Sequence, residues 1–315
     1  MLLLWQRFIL YELNLQIYMK IYDCFMFFDE EMILDLRLNI LSKYVDKFVI
    51  TEATYMHSGK PKKLIFDINK FSKFKDKIIY QVIDKQPANI IPVNKSDDES
   101  TKEKKLIDNS NKREHFQREQ SKKFLDKLDP DDLILINDID EIPNLESINL
   151  NKINKKLILF KQKMFYFKFN LIYKNKYWWG SRACRKKNFL SPQWLRDVKK
   201  KKYPIWRLDI IFSTMKYNSI HYVENGGWHF TNIKSPEALE KKLLNYLHHY
   251  EYEQSGLNLK NIEDMIVNKK IIYDHSVDQR GDKFSAEKKL DKADLSEMPS
   301  YLSENYDKYI EWFDD

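Results

Sequence analysis

Glycine is scarce in this 315-residue chain, which contains six. None falls between residues 20 and 32, so the Gly-rich phosphate loop that opens many nucleotide-binding domains has no counterpart near the start of the fold. Cysteine is rarer still. Cys24 and Cys184 form no CxxC pair, which argues against a thiolate metal site or a disulfide framework. At most one bridge is left open, and the apolar surroundings of both residues suit buried thiols in a reducing compartment. Long apolar runs are missing as well. In MLLLWQRFILYELNLQIYMK the residues Gln6, Arg7, Glu12, Asn14 and Gln16 break the pattern well short of the ~20 apolar residues a membrane span needs. A small-residue cleavage site is also absent. We therefore expect Met19 to be the natural start, with residues 1–18 an extension of amphipathic helical character. There is no internal repeat and no low-complexity tail.

Aromatic residues, by contrast, are plentiful. With 19 Phe, 19 Tyr and 7 Trp in a hydrophobic fraction of 43%, the chain can fill a core and global disorder is ruled out. The net charge of +7 is spread through many Lys, Asp and Glu, as on an ordinary solvated surface. Its modest excess favours anionic ligands such as nucleotide diphosphates or acidic glycans.

From Lys20 onward, strand-like apolar runs alternate with amphipathic ones, which predicts an α/β fold with a mainly parallel sheet flanked by helices. KIYDCFMFF, KFVITEA, IIYQVID and LILIN read as strands. EEMILDLRLNILSKYV reads as a helix with Leu34, Leu38, Leu41 and Val45 on one face. The polar VNKSDDESTKEKKLIDNSNK reads as a mobile surface loop, leading into a helix over REHFQREQSKKFLDKL. Ser235-Pro236 caps a helix running through EALEKKLLNYLHHYEYEQ. The expected organisation is the 1–18 extension, a single core over 19–234, and a helical elaboration over 235–315 packed on that core.

Ligands of open α/β sheets bind beyond the carboxyl ends of the strands, and LILIN delivers Asp138, Asp140 and Glu141 to that edge. Three acids in four positions repel one another unless a cation sits among them, and hard oxygen ligands suit Mg²⁺ or Mn²⁺. In extended backbone Asp138 and Asp140 would point to one side. One would touch a ribose or the metal, and the other would ligate the metal that neutralises a departing diphosphate. A solvated acidic turn explains most chance DxD sequences, but these acids follow an apolar strand and precede Ile-Pro.

Other candidates are single residues with a plainer reading beside the functional one. Glu52, at the end of KFVITEA, could accept hydrogen bonds from a ribose or a uracil N–H, and Lys60 in the turn Gly59-Lys60-Pro61 could reach a phosphate. A turn carboxylate and a surface lysine are the plain versions. Arg113 and Arg118 in REHFQREQ suit bidentate phosphate contact, or surface pairing with Glu114 and Glu119. In a chain that avoids glycine, Gly226-Gly227 beside Trp228 and His229 suggests close approach to a ligand, with His229 a metal ligand or phosphate contact rather than a core histidine. His248 and His249 read as structural. MFYFKFN and YWWGSR offer faces for sugar stacking, although such clusters more often fill cores.

The segments IYDCFMFFDEEMILDLRLNIL, VDKFVITEATYMHSGKPKKLIF, REHFQREQ, DLILINDIDEIP and GGWHF, in that order, resemble glycosyltransferase family 17, the family of the β-1,4-mannosyl-glycoprotein 4-β-N-acetylglucosaminyltransferase. The resemblance implies a GT-A-like fold, a UDP-sugar donor such as UDP-GlcNAc, a glycan acceptor, a Mn²⁺ or Mg²⁺ cofactor and inversion at the anomeric carbon. It assigns Asp138, Asp140 and Glu141 to a DxD-type metal and diphosphate site, and sets Glu52, Lys60, Arg113 and Arg118 near the donor. The vertebrate members carry an N-terminal span. Without one, a cytoplasmic enzyme acting on a bacterial or viral surface glycan is expected. Beyond about Lys234 the likeness is loose, so bisecting activity is not carried over. An inverting transfer needs a general base, for which Glu141 and Glu224 are the candidates. Two rival readings are a sugar nucleotidyltransferase, which would also use paired acids and Mg²⁺, and a non-catalytic nucleic-acid-binding module built on lysine runs and aromatics.

Overall fold

Residues 19–204, 206–246, 249–272 and 288–314 are described by a computed structural model. The helical character expected for 1–18, and His248, lie outside the described residues. In chain order the strands are β1 (Ile21–Met26), β2 (Lys47–Ala53), β3 (Ile78–Ile83), β4 (Leu133–Ile136), β5 (Glu141–Pro143), β6 (Leu157–Phe160), β7 (Gln162–Tyr166), β8 (Leu171–Trp178), β9 (Arg182–Arg185), β10 (Ile220–Val223), β11 (Gly227–Thr231) and β12 (Asp291–Lys292).

The main sheet has seven strands in the order β10-β6-β9-β4-β1-β2-β3, and every pairing in it is parallel except those made by β9. Its central strands are the near-continuous apolar runs of the sequence, buried on both faces as parallel strands must be. A second sheet of five strands, β12-β8-β7-β11-β5, carries the aromatic run. There Phe165, Phe169 and Phe230 pack ring on ring, with centroids 5.4 Å (Phe165–Phe230) and 5.0 Å (Phe169–Phe230) apart, and Phe169 meets Phe313 at 5.7 Å. The MFYFKFN aromatics are thus core and present no face to a sugar.

Helix α1 (Glu31–Leu41) crosses from β1 to β2 and buries Ile33, Leu34, Leu36, Leu38 and Leu41. It ends four residues before Val45, because the Tyr44 and Val45 N–H groups both turn back onto the Leu41 carbonyl. The expected loop over 93–112 is in large part a helix, α2 (Glu99–Glu119), started by Asp98, whose side chain accepts from the Thr101 N–H. Its buried residues are Asn109, Ser110, Arg113, Gln117 and Arg118. A helix whose inner face is polar has no hydrophobic period, so the pattern that betrays other helices is missing.

The helix capped by Ser235 is shorter than its sequence suggests. It spans Pro236–Leu243, and the Asn245 side chain closes it by donating to the Lys241 carbonyl at 2.7 Å. The segment after residue 235 holds further helices, His249–Gln254 and Leu259–Val267, but also β12. It meets the rest of the chain through Tyr309, whose hydroxyl donates to Asp35 at 2.7 Å, and through Glu297, whose carbonyl accepts from the Trp228 indole N–H at 2.7 Å. Cys24 and Cys184 are both free and buried.

Candidate active site

The chain leaves β4 at Ile136, turns over residues 137–140, and re-enters a sheet at Glu141, which pairs with His229 of β11. Arg37, fully buried on α1, holds that turn from below. Its Nε and one terminal nitrogen bind Asp23 at 2.8 and 2.6 Å, while the other terminal nitrogen donates to the carbonyls of Ile139 (3.2 Å) and Glu141 (2.6 Å). Asn137 adds a bond from its amide to Asp23 at 2.5 Å. The backbone at the acids is therefore a turn, and the expectation that Asp138 and Asp140 share one side fails for that reason. Their carboxylates serve two different clusters.

Asp138 faces two guanidiniums. Arg118 of α2 donates to it at 3.1 Å, and Arg196 of helix α3 (Pro192–Asp197) at 2.8 Å. Arg196 also spans both oxygens of Glu141, at 2.6 and 3.0 Å, and Arg118 pairs with Glu114 at 2.6 Å. Burial pushes the Asp138 pKa up against the pull of Arg196. Burial likewise opposes the charge on Glu141, but Arg196 outweighs it and holds the carboxyl below its ordinary range. Glu141 accepts two further bonds, from the Trp178 indole N–H at 2.6 Å and the Asp138 backbone N–H at 2.8 Å, and none of its side chain is exposed. That occupancy closes off Glu141 as a base, since taking a proton from an acceptor would require breaking a buried bidentate ion pair.

Asp140 looks the other way. Its Oδ1 lies 3.5 Å from Nε2 of His229 and its Oδ2 lies 3.9 Å from the Lys242 ammonium. Burial again opposes the charge, yet His229 and then Lys242 outweigh it and hold the Asp140 carboxyl far below the carboxylate range. The His229 ring stacks on Trp178 at 5.0 Å, and its Nδ1 is buried with no hydrogen-bond partner. Beside this pair, Lys234 bridges Asp29 and Glu30, the acids that follow β1.

Asp140 and His229 together offer one oxygen and one nitrogen; the carboxylate suits a hard ion such as Mg²⁺ or Mn²⁺, and the imidazole is a softer donor that favours Mn²⁺ over Mg²⁺. Such ions commonly take one or two protein ligands and complete their shell with phosphate oxygens and water. No group of three His, Cys, Asp or Glu side chains able to hold a metal forms among the described residues, and Asp138 is committed to its arginines. Asp140 and His229 are the pair that would hold a cation carried in with a diphosphate, and the expected third ligand, Asp138, does not join them.

The remaining candidates separate. Glu52 is fully buried, and its carboxylate is spent inside the protein on Lys62, the N–H groups of Ile65 (2.9 Å) and Phe66 (3.2 Å), and the Tyr80 hydroxyl (2.6 Å). It fastens the 62–66 segment to the sheet and has no surface to offer a ribose or a uracil. Arg113 donates to Gln86 (2.8 Å) and to the His57 carbonyl (3.1 Å), and forms no ion pair among the described residues. Lys60 is exposed on the neighbouring turn. Glu224 stands on the surface with its side chain 67% exposed, paired with Lys161 at 2.8 Å. Gly227 does adopt positive φ (+114°), but what approaches it is protein: a Cβ there would lie 2.2 Å from the Ile142 carbonyl oxygen. His249 is buried, with Nδ1 on the Tyr246 carbonyl at 3.0 Å, as a structural histidine should be.

Asp29, Glu30, Arg196, Lys234 and Lys242 were not singled out by sequence reasoning. A usable signal existed for the first two, because FFDEE follows the first strand and lands on the same edge as the DID turn. The three cations come from a helix, a strand end and another helix with no motif around them.

A family model for glycosyltransferase family 17 matches residues 11–190, more than half of the chain. It takes in β1 to β4, Arg118 and Asp140, and stops short of Arg196, His229, Lys234 and Lys242. No curated protein and no solved structure matches the chain.

Proposed function

The chain belongs to glycosyltransferase family 17 and is a glycosyltransferase, and from that premise we propose that it moves N-acetylglucosamine from UDP-GlcNAc to a hydroxyl of a glycan, with inversion at the anomeric carbon, on a GT-A-like scaffold. The observation that carries this reading is the Asp140–His229 pair, 3.5 Å apart beyond the carboxyl end of β4, with Lys242 beside it. A divalent cation bound there supplies positive charge to the departing diphosphate.

The protein adds its own charge. Lys242 and Lys234 raise the potential around the leaving group, and preorganised cations of this kind stabilise developing negative charge without reorganising. Arg118 and Arg196 fix Asp138 against the opposite wall, where its exposed third can accept from donor hydroxyls. Glu224, beside Gly226 in sequence and kept ionised by Lys161, is the base of this reading, free of any buried ion pair.

The test is UDP release from UDP-GlcNAc with and without Mn²⁺, for the natural chain and for Asp140→Ala and His229→Ala. Both variants should lose on the order of 100-fold or more in cation-dependent turnover while keeping their circular dichroism. An Asp140→Ala protein that turns over donor as fast as the natural chain would remove Asp140 from the site.

A further inference from the structure

Residues 199–204 and 206–216 lie in the excursion between α3 and β10 and carry an apolar, uncovered tip. Trp206 is 81% exposed, Leu208 71%, Ile211 74% and Phe212 88%, the largest exposures of any large hydrophobic side chains among the described residues except Val267. Scattered single apolar residues on a surface need no explanation, but four such side chains within seven positions do. The excursion also carries lysines 199–202, all exposed, with Arg207 and Lys216, against a single acid, Asp209.

We infer that this excursion seats the enzyme on an anionic lipid surface, the apolar tip entering the headgroup region and the lysines pairing with lipid phosphates. Charge selects the partner. Lysine is depleted in protein interfaces, whereas a polybasic flank beside an apolar insertion is what an anionic bilayer attracts. Leu208 and Ile211 argue against single-stranded nucleic acid, because aliphatic side chains offer no stacking platform to bases.

The tip's position gives the contact a use. The excursion is closed at its base by the Lys199 N–H on the Met215 carbonyl (2.8 Å), and it is tied to α3 by the Trp194 indole N–H on the Thr214 carbonyl (2.6 Å). α3 is the helix that sends Arg196 to Asp138 and Glu141, so a membrane under the tip would lie beside the active-site wall. An acceptor glycan displayed on that membrane would be presented to the site.

The test is flotation of the full chain with phosphatidylcholine vesicles and with vesicles containing about one third phosphatidylglycerol. It reads binding and needs no turnover, so its outcome is independent of the proposed reaction. Thr214→Cys, on an exposed position in a protein whose two natural cysteines are buried, carries an environment-sensitive dye. The protein should float only with the anionic vesicles, the dye should shift to the blue on binding, and salt should weaken the association. Trp206→Ser/Phe212→Ser and a 199–202 Lys→Gln variant should each bind at least tenfold more weakly, with unchanged melting temperatures. Absence of anionic-vesicle binding, or binding indifferent to these variants, overturns the inference. So does a dye already blue without lipid, which would mean that the chain covers the tip itself. Sedimentation showing a dimer dissolved by Trp206→Ser/Phe212→Ser would assign the tip to a second copy, and oligouridylate binding without vesicle binding would assign it to RNA.

Discussion

Arg37→Met isolates the device that shapes the active-site turn. The variant keeps the length and apolar stem of the side chain but removes the guanidinium that faces Asp23 and the carbonyls of Ile139 and Glu141. Asp23 would keep only the Asn137 amide, and the Glu141 carbonyl would keep the Ser181 hydroxyl at 3.3 Å. Stripping one partner from a fully buried ion pair costs about 3–5 kcal/mol, most of it from the uncompensated charge left behind. For a chain of this size that corresponds to a fall in Tm of roughly 5–8 °C. Urea midpoints and thermal melts read it directly. The argument also fixes a second variant: Asp23→Leu/Arg37→Met removes both charges and should recover most of the loss, within about 2 kcal/mol of the natural chain. Donor turnover of that double variant should stay low, because the turn carbonyls have lost their clamp. A single variant that melts within about 3 °C of the natural chain, or a double variant less stable than either single, would refute this account.

Gly180→Ala should damage the Asp138 side of the site, since a Cβ there would sit 2.0 Å from a Glu141 carboxylate oxygen and 2.5 Å from the Trp178 indole nitrogen. About 1–3 kcal/mol of stability should go, together with most donor turnover, and both are measurable on one preparation. Glu114 is pushed down to about 2, because Arg118 and His57 outweigh the effect of its burial. A lowered carboxylate stabilises the fold above its ordinary pKa, near 4.5, and that contribution fades as pH falls toward 2. Urea midpoints between pH 6 and 2.5 should therefore drop less steeply for Glu114→Gln. Glu224→Gln should cut kcat by about 100-fold or more with KM for donor little changed. Activity within a factor of about two would move the base elsewhere, with Glu30 the next carboxylate to replace.

Much of the scaffold could be read along the chain. KFVITEA became β2 residue for residue, and KIYDCFMFF and LILIN became β1 and β4, because a buried parallel strand leaves an unbroken apolar record, while IIYQVID became the half-buried edge strand β3. The same record placed the acids of the DID turn at a carboxyl edge, and the family match covers the first four of the five segments that carried the resemblance, ending before GGWHF. Helix α2 escaped because its inner face is polar, so burial left no hydrophobic period to detect.

The direction of each acid was decided elsewhere. Arg37, a hundred residues before the turn, pulls its carbonyls down and splits Asp138 from Asp140. Arg196, His229 and Lys242 then sort the carboxylates into two clusters from 50 to 100 residues downstream. Local sequence records which residues are buried, since burial repeats with the period of the backbone. Charge pairing leaves no such period, and which cation meets which carboxylate exists only once the distant segments are packed together.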